Sequence, residues 1–144
     1  MATERRAEVT WRGSLMEGAG TIDRVTSGAL GPLGVTWASR AEEPGGLTSP
    51  EELIAAAHAA CFSMALSHGL AGAGTPPEQL STSATVTFVP GTGVTAIALT
   101  VAGRVPGVDE AGFREAAEGA RDDCPVSKAL AGVPDISVDA RLEG

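Results

Sequence analysis

The sequence predicts an α+β fold in one domain. Alternating apolar and polar segments lie near both ends, and a long uncharged helical stretch with a strong start signal lies in the middle. A second helical pattern precedes the last alternating segment. A chain of 144 residues is long enough for a single sizeable core. With only three Phe, two Trp and no Tyr, that core has to be filled by Val, Leu, Ile and Ala.

Taken in order, Ala7–Arg12 alternates as a strand, and Gly20–Thr26 follows as a second, with a turn inside Gly13–Gly18. Gly34–Arg40 (GVTWASR) reads as a third strand on its β-branched and aromatic content. Pro44, Gly45 and Gly46 mark the loop Glu42–Thr48. Thr48-Ser49-Pro50-Glu51-Glu52 then supplies a capping hydroxyl, a proline suited to the first helical position, and acids for the positive end of the dipole. This helix is expected from Pro50 to about Gly69, ended by Gly72 and Gly74, and buried on most sides.

After Thr75-Pro76-Pro77, strands are expected over Ser81–Val89 and Val94–Val105, joined by the hairpin Pro90-Gly91-Thr92-Gly93. Asp109–Arg121 reads as an amphipathic helix with Phe113, Ala116, Ala117 and Ala120 on its apolar face. Cys124-Pro125-Val126-Ser127 opens a short helix through Leu130, and Ile136–Leu142 is the last strand. No repeat or linker interrupts the chain.

Composition excludes several function classes. A 43% hydrophobic fraction is too high for a disordered chain, and a net charge of −8 opposes a surface that neutralises phosphates, so no nucleic-acid partner is expected. The stretch Ile54–Pro77 has no Asp, Glu, Lys or Arg and is long enough to span a bilayer. Its Ala, Gly and Ser content, with His58 and His68, favours a soluble core helix, so no membrane partner is expected. The opening MATERRAEVT lacks a secretory pattern, and a cytoplasmic, thiol-reducing setting is expected. No Gly-x-Ser-x-Gly elbow is present, and two Cys with two His lack paired zinc spacing, so neither a hydrolase nor a metal or cofactor site is expected.

The two cysteines are left as inert or reactive thiols. Cys61 lies mid-helix, where burial would raise its pKa unless another segment brings a cation. Cys124 precedes Pro125 at a helix entrance, which favours a thiolate, while Asp122 and Asp123 oppose one. Glu51, Ile54, His58 and Cys61 share one helical stripe. Glu51 and Cys61 are roughly 15 Å apart along the axis, too far for direct contact. Glu51 also reads as a simple first-turn dipole acid, and His58 as a half-buried packing residue.

Residues 49–66 (SPEELIAAAHAACFSMAL), with Cys124-Pro125-Val126-Ser127 and Arg40 upstream, resemble the osmotically inducible protein C and organic hydroperoxide resistance family (OsmC/Ohr). The His58-Ala59-Ala60-Cys61 wording is closer to the OsmC branch. The resemblance implies an intertwined homodimer with long central helices packed against antiparallel sheets, and an active site at the subunit interface. It implies a thiol-dependent peroxidase that reduces organic hydroperoxides, and hydrogen peroxide less well, and is reset by an external dithiol of lipoyl type.

By position, Cys61 would be the peroxidatic cysteine, Cys124 the resolving one, Arg40 the activating cation and Glu51 its holder. Arg24 is the rival arginine, from the Ohr pattern. Ser49 stands where the family usually has Asn, and Asp123 where a small residue usually precedes the second cysteine. The axial gap between Glu51 and Cys61 suggests that a two-fold partner supplies one chain's Glu51 to the other chain's Cys61. A redox-sensing or binding dimer without turnover is the alternative reading.

Overall fold

The computed structural model describes residues 2–143. The chain forms two compact units divided after Leu53. The first contains a three-stranded antiparallel sheet in the order β1 (Ala7–Arg12), β2 (Ala19–Val25), β3 (Leu33–Val35), followed by a short helix α1 (Trp37–Ala41). Thr10 faces Thr21 across β1 and β2, and β2 leaves only Ile22 among its large side chains fully buried.

Helix α1 replaces most of the strand expected over Gly34–Arg40. Thr36 ends β3 in extended conformation and caps α1: its side chain accepts from the Ser39 amide at 3.0 Å, while Ser39 Oγ accepts from the Thr36 amide at 2.9 Å. Two otherwise unpaired backbone donors are thus satisfied reciprocally, and this local gain outweighs the β-propensity of Val35, Thr36 and Trp37. Ser39 Oγ also donates to the Thr48 carbonyl at 2.9 Å, tying α1 to the loop that feeds the long helix α2 (Pro50–Gly72). Helix α2 begins as expected. Ser49 Oγ accepts from the Glu52 amide at 3.2 Å, and Thr48 Oγ1 donates to Glu52 at 2.9 Å.

The second unit carries a sheet in the order β4 (Gln79–Val89), β5 (Gly93–Arg104), β6 (Asp135–Leu142). In β4, Ala84, Val86 and Phe88 share the more buried face, as the period of two predicts. β4 and β5 pair antiparallel around the hairpin, whose Gly91 and Gly93 take φ of 82° and 119°, a region that favours glycine. β6 runs parallel to β5, from Ala96 beside Asp135 to Gly103 beside Leu142, so this sheet is mixed rather than wholly antiparallel. The connection explains it. Helices α3 (Glu110–Asp123) and α4 (Pro125–Ala129) lie between β5 and β6 and return the chain to the sheet in the same direction.

The core of this unit joins Phe62, Leu66 and Leu70 of α2 to Leu99 and Val101 of β5 and Phe113, Ala117 and Ala120 of α3. Gly103 makes room for the largest of these contacts, since a Cβ there would meet the Phe113 ring at 2.6 Å. Helix α2 is not buried on most sides, contrary to expectation. After its first turn only His58, Phe62, Leu66 and Leu70 are fully buried, a single stripe, while Ala60, Met64 and His68 are exposed. One layer of sheet and helix can cover only one face of a helix whose whole circumference is uncharged. By length and composition alone α2 is apolar enough to cross a bilayer, a test that the core helix of a soluble protein also passes.

Candidate active site

The chain assembles two pairs of the residues singled out from sequence. In the first unit, Arg40 from the last turn of α1 meets Glu51 in the first turn of α2. Arg40 Nε donates to both carboxylate oxygens at 3.0 and 3.2 Å, and Nη2 donates to Oε2 at 2.9 Å. Such a forked contact fixes the guanidinium plane as well as its position. Glu51 is buried and Arg40 half-buried, so the pair is shielded on the carboxylate side. Arg24 is engaged differently. It lies opposite Glu8 in the β1–β2 register and donates to it at 2.7 Å from an exposed side chain.

In the second unit, Cys61 of α2 and Cys124 at the start of α4 lie close enough for each thiol to shift the pKa of the other. Both are free thiols; Cys124 is fully buried and Cys61 half-buried. Burial pushes the Cys61 thiol up, and the neighbouring Cys124 thiol pushes it further, against a smaller opposing effect of the Val126 amide. Burial also opposes the Cys124 thiolate, but the net direction is down. The nearby Cys61 thiol, the amides of Ser127 and Val126, and the Ser127 hydroxyl together hold it down. The expected upward push from Asp122 and Asp123 therefore does not decide the direction, which these nearby donors set.

Two members of this cluster were given no role in the site from the sequence. Ser127 is buried, and its Oγ lies 2.7 Å from Nε2 of His58, which has no exposed surface at all. His58 is thus a hydrogen-bonded core group rather than a half-buried packing residue, and burial pushes its pKa below the usual imidazole value. The spacing of His58 and Cys61 on one stripe was visible in the sequence; the contact with Ser127, 69 residues away, was not.

Cys61 opens onto a cavity of about 610 Å³. Met64, Ala65 and Gly69 line it from α2, Ala116 and Gly119 from α3, with His68 and Asp123 as its polar members. Small residues create the space: a Cβ added at Gly69 or Gly119 would meet nothing within 4 Å. The volume suits a small organic molecule, and the wall is mostly apolar. Among the described residues, no group of three or more His, Cys, Asp or Glu side chains could hold a metal ion.

The family model for OsmC-like proteins matches residues 43–139, a span that includes Glu51, His58, Cys61, Cys124 and Ser127. The chain belongs to the OsmC family. Within it, the chain is 38% identical to Peroxiredoxin OsmC of Escherichia coli (strain K12), over 99% of both sequences, and equally to that of Shigella flexneri. These relatives place it on the OsmC branch. Among solved structures, it resembles the organic hydroperoxide resistance protein OhrB of Bacillus subtilis with a TM-score of 0.62 and 26% identity, over 96% of this chain and 98% of that one. An OsmC-like protein from Mycoplasma pneumoniae shares the fold at TM-score 0.68 and 17% identity, over 96% of this chain and 98% of that one. The OsmC-type α+β architecture is therefore common to chains of very different sequence. Its Ser49 departs from the usual Asn without loss of the cap, as the Ser49–Glu52 bond demonstrates.

Proposed function

We propose that this chain is a thiol-dependent peroxidase that reduces organic hydroperoxides, and hydrogen peroxide less well. Cys61 is its peroxidatic sulfur and Cys124 its resolving sulfur. The observation that carries this reading is the closeness of two cysteines remote in sequence, at the wall of a largely apolar cavity. The likeness to Peroxiredoxin OsmC along the full chain supports it.

In the first step the Cys61 thiolate attacks one oxygen of the hydroperoxide. A sulfur–oxygen bond forms, the oxygen–oxygen bond breaks, and the alkoxide leaves as an alcohol after taking a proton. Cys124 sulfur then attacks Cys61 sulfur and expels the hydroxyl as water, leaving a disulfide. An external dithiol, of lipoyl type by family, restores both thiols and is itself oxidised to a disulfide.

Because burial holds the Cys61 thiol up, the first step needs a cation. Arg40 fills that role in this reading. It is oriented by Glu51, whereas Arg24 is committed to an exposed pair with Glu8. The chain acts as a cytoplasmic homodimer whose second copy covers the uncharged, exposed face of α2 around Ala60 and Met64. Ten residues of α2, roughly 15 Å of rise, favour delivery of the Arg40–Glu51 pair to the other chain's Cys61. The two compact units function together as one OsmC-type domain.

The test is sustained consumption of an organic hydroperoxide by the reduced protein with a lipoyl dithiol present. Continuous turnover is the expected result. Loss of both thiols without turnover would replace the peroxidase with a redox-sensing dimer.

Cavity shape gives a second expectation. Gly119→Leu puts a side chain into open space beside Cys61, on a helix that accepts Leu readily. Turnover of a bulky aryl hydroperoxide should fall roughly five- to thirtyfold, on the order of 1–2 kcal/mol of lost transition-state binding, with hydrogen peroxide nearly unaffected. Equal losses on both substrates would place the alkyl group elsewhere.

A further inference from the structure

We propose that His58 is a positioning residue for the second step: it aims the Ser127 hydroxyl at Cys124 and so holds the resolving sulfur ready to attack. The inference rests on the peroxidase reading. It starts from a buried side-chain contact that this reading leaves unexplained.

His58 has no exposed surface, and its only side-chain partner in the cluster is Ser127, at 2.7 Å from Nε2. Nδ1 has no hydrogen-bond partner among the described residues. A buried ring of this kind stays neutral and carries one proton. On Nδ1 that proton would be a buried donor without an acceptor, which native structures rarely tolerate. It is therefore assigned to Nε2, which makes the ring a donor to Ser127 Oγ.

The consequence lies one bond further on. With the Ser127 oxygen accepting from the imidazole, its own hydroxyl hydrogen is left to turn toward Cys124, one helical turn earlier at the start of α4, where the Ser127 hydroxyl helps to hold the Cys124 pKa down. His58, Ser127 and Cys124 then form a one-way chain of donors that ends on the sulfur. In the reduced protein the Cys61 thiol is a further nearby donor that holds the Cys124 pKa down. Oxidation removes that donor, because the Cys61 sulfenic acid no longer carries an S–H. The Ser127 hydroxyl then becomes the one remaining side-chain donor of this set, alongside the Val126 and Ser127 amides.

No proton is consumed by the ring in this scheme. Cys124 sulfur attacks Cys61 sulfur, the sulfur–oxygen bond breaks, and the departing hydroxyl takes up the Cys124 proton and leaves as water. The titratable groups around this chain are Cys61 on α2, His68 and Asp123 at the cavity beside Cys61, and Arg121, Asp122 and Lys128 lining a second cavity beside Ser127.

The experiment separates the two chemical steps. Reduced full-length protein is mixed with one equivalent of an alkyl hydroperoxide. Sulfenic acid is trapped with a cyclic 1,3-dione at timed intervals, and disulfide is followed by intact mass. In His58→Leu and Ser127→Ala, sulfenic acid should form at the parental rate while disulfide forms about tenfold more slowly, the loss of one charge-assisted bond. The pH profile of disulfide formation should shift upward by about one unit. His58→Gln, which can donate from its amide, should restore the parental profile. The double variant should be no slower than Ser127→Ala, because His58 acts through that hydroxyl.

Parental disulfide rates in Ser127→Ala, or additive losses in the double variant, would overturn the inference. If His58→Leu fails to fold, Ser127→Ala and His58→Gln still decide the matter. Absence of sulfenic acid in the parent protein would instead refute the peroxidase reading on which the inference rests.

Discussion

Cys61→Ser is expected to lower organic-hydroperoxide turnover by on the order of a thousandfold or more, with dithiol present. A serine hydroxyl fits the same half-buried position beside Cys124 but stays protonated, and its oxygen forms no equivalent of the sulfenic acid. The change is small in volume and mid-helix, so folding should survive and circular dichroism should be unaltered. Retention of a tenth of the parental rate would move the nucleophile to Cys124. That is a real competitor, because its sulfur is the one pushed toward the thiolate within the second unit.

Arg40→Met should be the next most damaging change. In the proposed dimer the guanidinium offsets the burial that holds the Cys61 thiol above its ordinary range, and each unit of rise on losing it costs tenfold in thiolate at neutral pH. A fall of roughly ten- to a hundredfold in kcat/KM at pH 7 is expected. The sign of the pH dependence is specific. Removing the proposed cation would raise the pKa of Cys61, so the thiolate is lost as pH falls and regained as pH rises, and the deficit should shrink in alkaline buffer. Because Arg40→Met also strands the buried Glu51 carboxylate, the double variant with Glu51→Gln is the control for folding. A deficit independent of pH would assign Arg40 to structure rather than to activation.

Much of the fold was legible because its signals are local. The Ser49–Glu52 cap, the glycines of the β4–β5 hairpin, the period of two in β4 and β6, and the Phe113–Ala117–Ala120 face of α3 each follow from residues close in sequence. Helix α1 escaped because its capping residues, Thr36 and Ser39, sit inside a run of strand-forming types. The parallel entry of β6 and the one-sided burial of α2 depend on which layers exist to receive them, and no local pattern encodes that.

The site divides the same way. Cys61, Cys124, Arg40 and Glu51 stand in recognisable motifs; Arg40 and Glu51 are in contact, and the two thiols are near enough to shift each other's pKa. The His58–Ser127 bond joins two residue types that are unremarkable in isolation. Only the three-residue step from Cys124 to Ser127, one turn of helix, hints that this hydroxyl returns toward the sulfur.

The central claim is that Cys61 and Cys124 form the redox couple. Peptide mapping of the fully reduced protein after one equivalent of alkyl hydroperoxide addresses it directly. The account predicts one Cys61–Cys124 disulfide per chain and one equivalent of the corresponding alcohol. Both thiols still free beside unconsumed peroxide, or crosslinks that join the chains through a single type of cysteine, would contradict it.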